Sequence, residues 1–303
     1  MEILRLLMDS PATLTHLART LKRSPAWIRH HILTLESADL IEVGEIRKTG
    51  KVTEKYYRAK AGALLLQEVI LPKGKKPILI FSGSHDLALE EIAAHLSKHV
   101  NILSLSVGSL DGLVNLRQGL CQISGAHILD ASGEYNTPTV RHLFPDRDMD
   151  VVTLAYRTQG LMLAAGNPKA IKQIPDIARA DVRFANRNPG SGTRLWMDAA
   201  LCKLGIPAEN VNGYGAVVKT HTEAASLVAS GKADVSLGLQ AAAHQHGLDF
   251  IPLFEERYDL ILPRDNESML SPLFGYLQTA AFRTELNTLT GYSSAHSGEQ
   301  IPV

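Results

Sequence analysis

Two hydrophobic rhythms divide this chain. Over its first 60 residues the apolar positions recur at helical spacing: Leu4, Leu6 and Leu7 open one segment, and Leu14, Leu17, Ala18 and Leu21 mark one face of a second. Thr13 is placed to cap that second helix. After a turn at Lys22 and Arg23, Ser24 caps a third helix with Pro25 at its first position, and Ile28, Ile32 and Leu35 form its buried face. Arg29 and His30 point away from that face. Two β-rich runs then flank Arg47, Lys48, Thr49, Gly50 and Lys51, a pattern that predicts a hairpin with a basic tip. From Ile78 the rhythm changes to short apolar runs alternating with helical stretches. Strands are expected at 78–81, 100–107, 126–129, 151–155, 161–164, 182–185, 216–219 and 235–237. Helices are expected at 87–99, 110–120, 195–204, 222–230 and 268–280. That alternation implies an α/β body with loops at the strand C-termini.

Between the two patterns, residues 61–70 read as an apolar helix able to pair subunits, and the Pro/Gly/Lys-rich stretch to Pro77 reads as a linker. The expected organisation is therefore a head at 1–60, a linker helix and linker at 61–77 and a ligand-binding body at 78–303.

The formal net charge of zero over 303 residues hides an asymmetry. The head carries 11 Lys and Arg against 7 Asp and Glu, a net +4, and the remainder is −4. A basic head on an acidic body suits a head that meets phosphate. Hydrophobic content of 45% supports a globular core, and no apolar run is long enough to span a membrane. The N-terminus has no basic leader with an apolar run behind it, so a cytoplasmic protein is expected. Cys121 and Cys202 fall in apolar helical patterns and read as small buried side chains rather than a disulfide or metal pair.

The most informative local feature is the run from Arg183 to Arg194, which predicts a buried strand, a glycine-bearing loop and a helix start. The free N–H groups of Gly190, Ser191, Gly192 and Thr193 favour an anion in front of that helix, with Arg187 and Arg194 adding charge-assisted hydrogen bonds. Two further strand-to-helix junctions carry similar donors: Ser82, Gly83, Ser84 and His85, and Gly108 with Ser109. Each alone reads as ordinary capping. The three together suit a polar-ligand site. His127, Tyr156, Gln159 and Asn186 complete the candidate ligand set. No nucleophile, base and orienting group stand at a fixed spacing, so no catalytic residue is assigned and no enzyme is expected. No metal site or cofactor is expected either.

The string Leu14, Leu17-Ala18, Leu21, Ser24, His31-Ile32, Leu35, Ala38 and Leu40-Ile41 resembles winged-helix repressors of the arsenic-repressor type. That resemblance implies double-stranded DNA as partner. On the geometry of such a head, Arg29 and then His30 are the candidate base contacts. Lys22, Arg23, Ser24, Arg47, Lys48 and Lys51 are candidate contacts to the DNA backbone.

Several separated strings of the body fall in the order of another family. They are Ser82-Gly83-Ser84-His85-Asp86, Val107-Gly108-Ser109-Leu110-Asp111-Gly112-Leu113, Gly125-Ala126-His127-Ile128-Leu129-Asp130, Tyr156-Arg157-Thr158-Gln159-Gly160-Leu161, Asn186-Arg187 with Gly190-Ser191-Gly192-Thr193-Arg194, and Phe254-Glu255-Glu256-Arg257-Tyr258-Asp259-Leu260. They resemble the periplasmic-binding-protein-like, molybdate-binding-like domain of bacterial and archaeal regulators.

The resemblance implies a two-lobed, type II fold that closes on its ligand. Lobe I would be 78–155 with 252–303, lobe II would be 156–251, and the crossing strands would lie at 156–160 and 254–258. It also implies a ligand-responsive regulator, a homodimer or larger assembly, sensing molybdate or tungstate. A small organic anion or pterin-like metabolite stays open as ligand, and so does a cofactor-biosynthesis enzyme fused to a DNA-binding head. Asp111 stands where the family often has glycine, and a carboxylate there would repel an oxyanion unless it faces away.

Overall fold

The computed structural model describes residues 1–49, 52–62, 70, 71 and 76–303. By contact the chain divides into two compact units, 1–68 and 69–303. The expected helix at 61–70, the linker at 71–77 and the hairpin residue Lys51 lie wholly or largely outside the described residues.

The head opens with α1 (Glu2–Asp9), β1 (Ala12–Thr13), α2 (Leu14–Leu21) and α3 (Pro25–Ser37), and ends in β2 (Ile41–Thr49) and β3 (Val52–Ala59). The Thr13 hydroxyl accepts from His16 N and the Ser24 hydroxyl from Trp27 N, so both helix starts are capped as their sequence predicts. Lys22 takes a left-handed conformation and closes the turn between α2 and α3. The strands form an antiparallel sheet in the order β1-β3-β2. Leu4, Leu7, Leu17, Ile28, Ile32, Ile41 and Tyr57 fill the space between it and the helices. Three helices followed by a two-stranded wing make this a winged helix–turn–helix.

The body runs through β4 (Ile78–Gly83), α4 (Leu87–Leu96), β5 (Asn101–Ser106), α5 (Ser109–Arg117), β6 (Ile123–Ala126), α6 (Thr137–Leu143) and β7 (Met149–Leu163). It continues with β8 (Phe184–Arg187), α7 (Gly192–Lys203), β9 (Val217–Val218), α8 (His221–Ala229), β10 (Val235–Leu239), α9 (Gln240–Gln245) and β11 (Asp249–Pro263). It closes with α10 (Glu267–Leu277), α11 (Ala280–Leu286), β12 (Tyr292–Ser293) and β13 (Gln300–Ile301). The strand order is β5-β4-β6-β11-β7-β10-β8-β9, with β12 and β13 added to β7.

The long antiparallel pair β7–β11 is common to both lobes. Its Met149/Pro263 end meets lobe I through β6, and its Leu163/Asp249 end meets lobe II through β10. Register shifts at Pro252/Phe254 and Tyr258/Asp259 bend this ribbon where it crosses. Lobe II has its own core of Leu161, Phe184, Met197, Leu201, Val235 and Leu237, and lobe I packs Ile80, Leu113, Leu116, Val151 and Ile261 beneath its sheet.

Three expectations need correction. The runs at 151–155 and 161–164 are halves of the single strand β7. Arg157, Thr158 and Gln159 interrupt its hydrophobicity, yet the strand stays hydrogen-bonded to β11 throughout. The strand expected at 126–129 ends at Ala126, because His127 leaves the sheet to face the other lobe. Cys121 is buried but lies between α5 and β6, whereas Cys202 is exposed on α7, one position past the buried Leu201.

Candidate functional site

The two crossing strands meet at a direct cross-strand pair, Arg157 on β7 opposite Glu256 on β11. With a period of two, Gln159 lies on the same face as Arg157, and Tyr156 on the other, beside His296. Arg157 is fully buried and donates Nε to Glu256 Oε1 at 2.7 Å and Nη1 to Asp86 Oδ2 at 2.6 Å. Its guanidinium carbon lies 4.1 Å from the centre of the Tyr258 ring. Gln159 Nε2 donates to Glu256 Oε1 and to Thr193 Oγ1, and the Tyr292 hydroxyl donates to Asp86 Oδ2. Asp86 also caps α4, accepting from Leu89 N. Burial by itself would raise the Glu256 carboxyl; the neighbouring His127 and Arg157, and the Gln159 amide, overturn this and hold it at about 2. Burial opposes the Arg157 charge in the same way, but Glu256 and Asp86 raise its pKa above the usual arginine value.

The three glycine-serine junctions converge on His127. Ser84 Oγ lies 2.9 Å from His127 Nε2, Ser109 Oγ accepts from His127 N, and Glu256 Oε2 lies 2.6 Å from His127 Nδ1. From lobe II, Gly192 presses against the ring: a Cβ there would fall 2.5 Å from Nδ1 and 2.6 Å from the His127 carbonyl oxygen. Gly108 and the 188–191 loop touch across the same gap, with Leu110 N donating to Gly190 O and Asn188 Nδ2 to Val107 O. The lobes are therefore closed on each other. Burial dominates the His127 pKa and lowers it, so the ring is neutral near pH 7.

Ser84, His127 and Glu256 form a hydroxyl–imidazole–carboxylate series, which no sequence spacing revealed. Its last contact lacks hydrogen-bond alignment, and the other Glu256 oxygen is held by Arg157 and Gln159.

This network leaves cationic donors unspent, beside two unpartnered amide oxygens, Gln159 Oε1 and Asn188 Oδ1. Arg187, at the end of β8, is fully buried, and its Nη2 donates to Lys219 O at 2.8 Å. Its Nε and Nη1 have no hydrogen-bond partner, and among the described residues no carboxylate forms an ion pair with it. Burial, then the nearby Arg157 charge, pull its pKa down to about 9, which still leaves it cationic at neutral pH. Arg157 Nη2 is also unpartnered, as are both ring nitrogens of the fully buried His221 and Nδ1 of His85. A buried guanidinium with two free donors costs several kcal/mol unless an anion meets it.

Two openings flank this interior. A groove of about 740 Å³ is lined by His85, Asp86, Thr220, Thr222 and Glu223, where the starts of α4 and α8 meet. A smaller one of about 260 Å³ is lined by His127, Glu256, Gly192 and Trp196, whose ring stacks on Phe254.

The sequence-predicted ligand residues therefore divide. Ser84, His85, Ser109, His127, Gln159, Arg187, Ser191, Gly192 and Thr193 lie in or around this interior. Ser82 accepts from Asn115, Gly83 packs against Gly112 and Gly125, and Asn186 is bound to Arg187 N and Tyr214 O. Arg194 turns away to Asp198, the Arg187 carbonyl and the Tyr214 ring, and Tyr156 faces the opposite side of β7. Gly190 has a positive φ, and its carbonyl accepts from Leu110 N. Asp111 is exposed, and its carboxylate lies beside the Gly190 loop, 3.8 Å from where a Cβ at Gly190 would stand.

Arg157, Asp86, Glu256 and His221 were not in the expected set. Their signals were charges embedded in the two crossing strands, the capping Asp86 that ends the first junction, and a fourth strand-to-helix junction at Thr220-His221-Thr222-Glu223. There Thr220 and Glu223 form a reciprocal capping box that starts α8 with His221 as its first residue.

On the head, Lys22, Arg23, Ser24, Arg29, His30, Arg47 and Lys48 are all exposed. Arg29 lines a groove with Thr13, Thr15, Thr53 and Lys55. Arg47 is engaged by Glu45 and lies over the Tyr56 ring, which leaves it less free than Lys22 or Arg23.

The sequence pattern of the PBP superfamily domain matches residues 90–277, and that of bacterial regulatory proteins of the arsR family matches residues 1–43. Uncharacterized protein YvgK of Bacillus subtilis strain 168 is 36% identical over 233 residues, covering 76% of this chain and 75% of its own. An uncharacterized protein from the ferredoxin 2Fe-2S gene 5′ region of Clostridium pasteurianum is 32% identical over 110 residues, 35% of this chain and 97% of its own. A solved Clostridium perfringens protein, assigned as a phosphate ABC transporter substrate-binding protein and holding phosphate, shares the fold. Its TM-score is 0.51 at 16% identity, over 71% of this chain and 99% of its own. Among the described residues no helix is long and apolar enough to cross a membrane.

Proposed function

This chain belongs to the PBP superfamily through its body and carries an arsR-family helix–turn–helix at its N-terminus, and from that premise we propose a cytoplasmic one-component transcription regulator that senses a small oxyanion. The observation that carries the ligand class is Arg187, buried and cationic, with two unspent donor nitrogens and, among the described residues, no carboxylate paired to it. An acceptor-rich anion between the lobes would satisfy those donors together with Arg157 Nη2. Molybdate and tungstate, suggested by the sequence resemblance, are the first ligands to test. Phosphate is the third, since the Clostridium perfringens protein of the same fold holds it. Binding would shift the lobes, and through them the pairing of two heads on a palindromic operator. The body acts by binding rather than by turnover.

Titration calorimetry with molybdate, tungstate, phosphate and sulfate tests this. At least one is expected to bind, and Arg187→Met to weaken it by at least about 100-fold, the scale of a lost charged hydrogen-bond pair. The flanking openings, one floored by the Trp196–Phe254 stack, favour a second reading, a small organic anion or pterin-like metabolite. Silence of all four oxyanions while such a compound raises the melting temperature would select it.

A further inference from the structure

His221 stands apart from every other histidine of the interior. His127 has a partner or close contact at each nitrogen, and His85 Nε2 meets Glu90 at 2.9 Å. His221 is fully buried with neither ring nitrogen partnered, at the first residue of α8. An imidazole in that state forgoes two hydrogen bonds that water would supply in the unfolded chain. It faces cationic or titratable groups on four other segments: Arg187 on β8, Arg157 on β7, His85 after β4 and His127 after β6. On its own helix, the Glu223 carboxylate is bound by Lys219 N and Thr220 N. Burial, then Arg187 and Arg157, disfavour its protonated form, so the ring is neutral without an anion.

Arg157 is taken by Asp86 and Glu256, so Arg187 alone is left to face an entering dianion and falls one charge short of matching it. We infer that His221 is a direct contact of the bound anion and takes up a proton as the anion enters, which ties occupancy of the cleft to pH. This inference rests on the oxyanion assignment and adds a residue and a proton to it. A neutral imidazole has one donor and one acceptor nitrogen, and an oxyanion can accept but not donate. Protonation turns the acceptor nitrogen into a second donor. A proton that binds more tightly in the complex strengthens binding as pH falls through the complex's pKa, and the gain levels off below that of the free protein.

The test uses tungstate, a fully ionised dianion near neutrality, and the full-length protein. Calorimetry at pH 7 in two buffers of different ionisation enthalpy should show net proton uptake of up to about one per tungstate. The dissociation constant should fall by up to about tenfold per pH unit between pH 8 and pH 6. His221→Gln should abolish most of the uptake and flatten the pH profile. Should that variant fold poorly, nitrogen chemical shifts of the wild-type His221 ring, with and without tungstate, report the same protonation. Tungstate binding with no proton exchange, or uptake undiminished in His221→Gln, or a ring neutral in both states, overturns the inference and leaves the oxyanion assignment standing. Absence of binding by all four oxyanions removes both.

Discussion

If Arg187 holds the anion proposed for it, stability and binding oppose each other in that one side chain. Its guanidinium is buried with three of its five N–H donors on atoms that meet no hydrogen-bond partner among the described residues, so the folded state bears a desolvation cost that an anion would relieve. Replacing it by methionine keeps the volume and removes the charge. Arg187→Met is therefore expected to raise the unfolding free energy of the ligand-free protein by about 1–4 kcal/mol in urea titrations, while it abolishes oxyanion binding. A variant less stable than the wild type would mean that the Lys219 carbonyl contact outweighs the buried charge. The sequence marked Arg187 by its place before a glycine loop. It could not mark the side chain as unpaired, because pairing depends on Glu256 and Asp86, which lie 69 and 101 positions away and are taken by Arg157.

Helix starts are the elements that shape the interior. The starts of α4, α5 and α7 were legible as glycine-serine junctions after strands, and each forms where expected, capped by Asp86, led by Gly108 and capped by Ser191. The start of α8 went unread as a site because its sequence carries a capping box and no glycine. Close approach of α7 to His127 requires Gly192. Gly192→Ala adds a methyl group that meets both the ring and the backbone of His127, neither of which can move without disturbing Ser84 and Glu256. That variant is expected to hold the lobes apart and weaken oxyanion binding by at least about tenfold, with helix content unchanged by circular dichroism. Affinity equal to the wild type would show that closure at this contact is dispensable.

At the scale of the whole molecule, a ligand-binding body and a DNA-reading head share one chain. If they are coupled, the coupling is reciprocal: the factor by which tungstate changes operator affinity must equal the factor by which operator changes tungstate affinity. Anisotropy on a duplex selected from a random pool, paired with calorimetry on the same duplex, should give matching factors of about 5–150. Arg29→Ala should cost about 1–3 kcal/mol of operator binding and leave tungstate affinity without DNA unchanged. Factors of one in both directions would separate the two activities. The sequence alone determined the winged head, the alternating α/β body and the loops that wall the interior, while the two lobes were implied only by its resemblance to a known family. Local spacing, capping residues and hydrophobic period carry that information over a few residues at a time. Only the tertiary structure decided which donors stay unspent, because Arg157, Arg187, His127, His221 and Glu256 come from five separate segments. Whether a buried charge is satisfied depends on distances that folding sets between them.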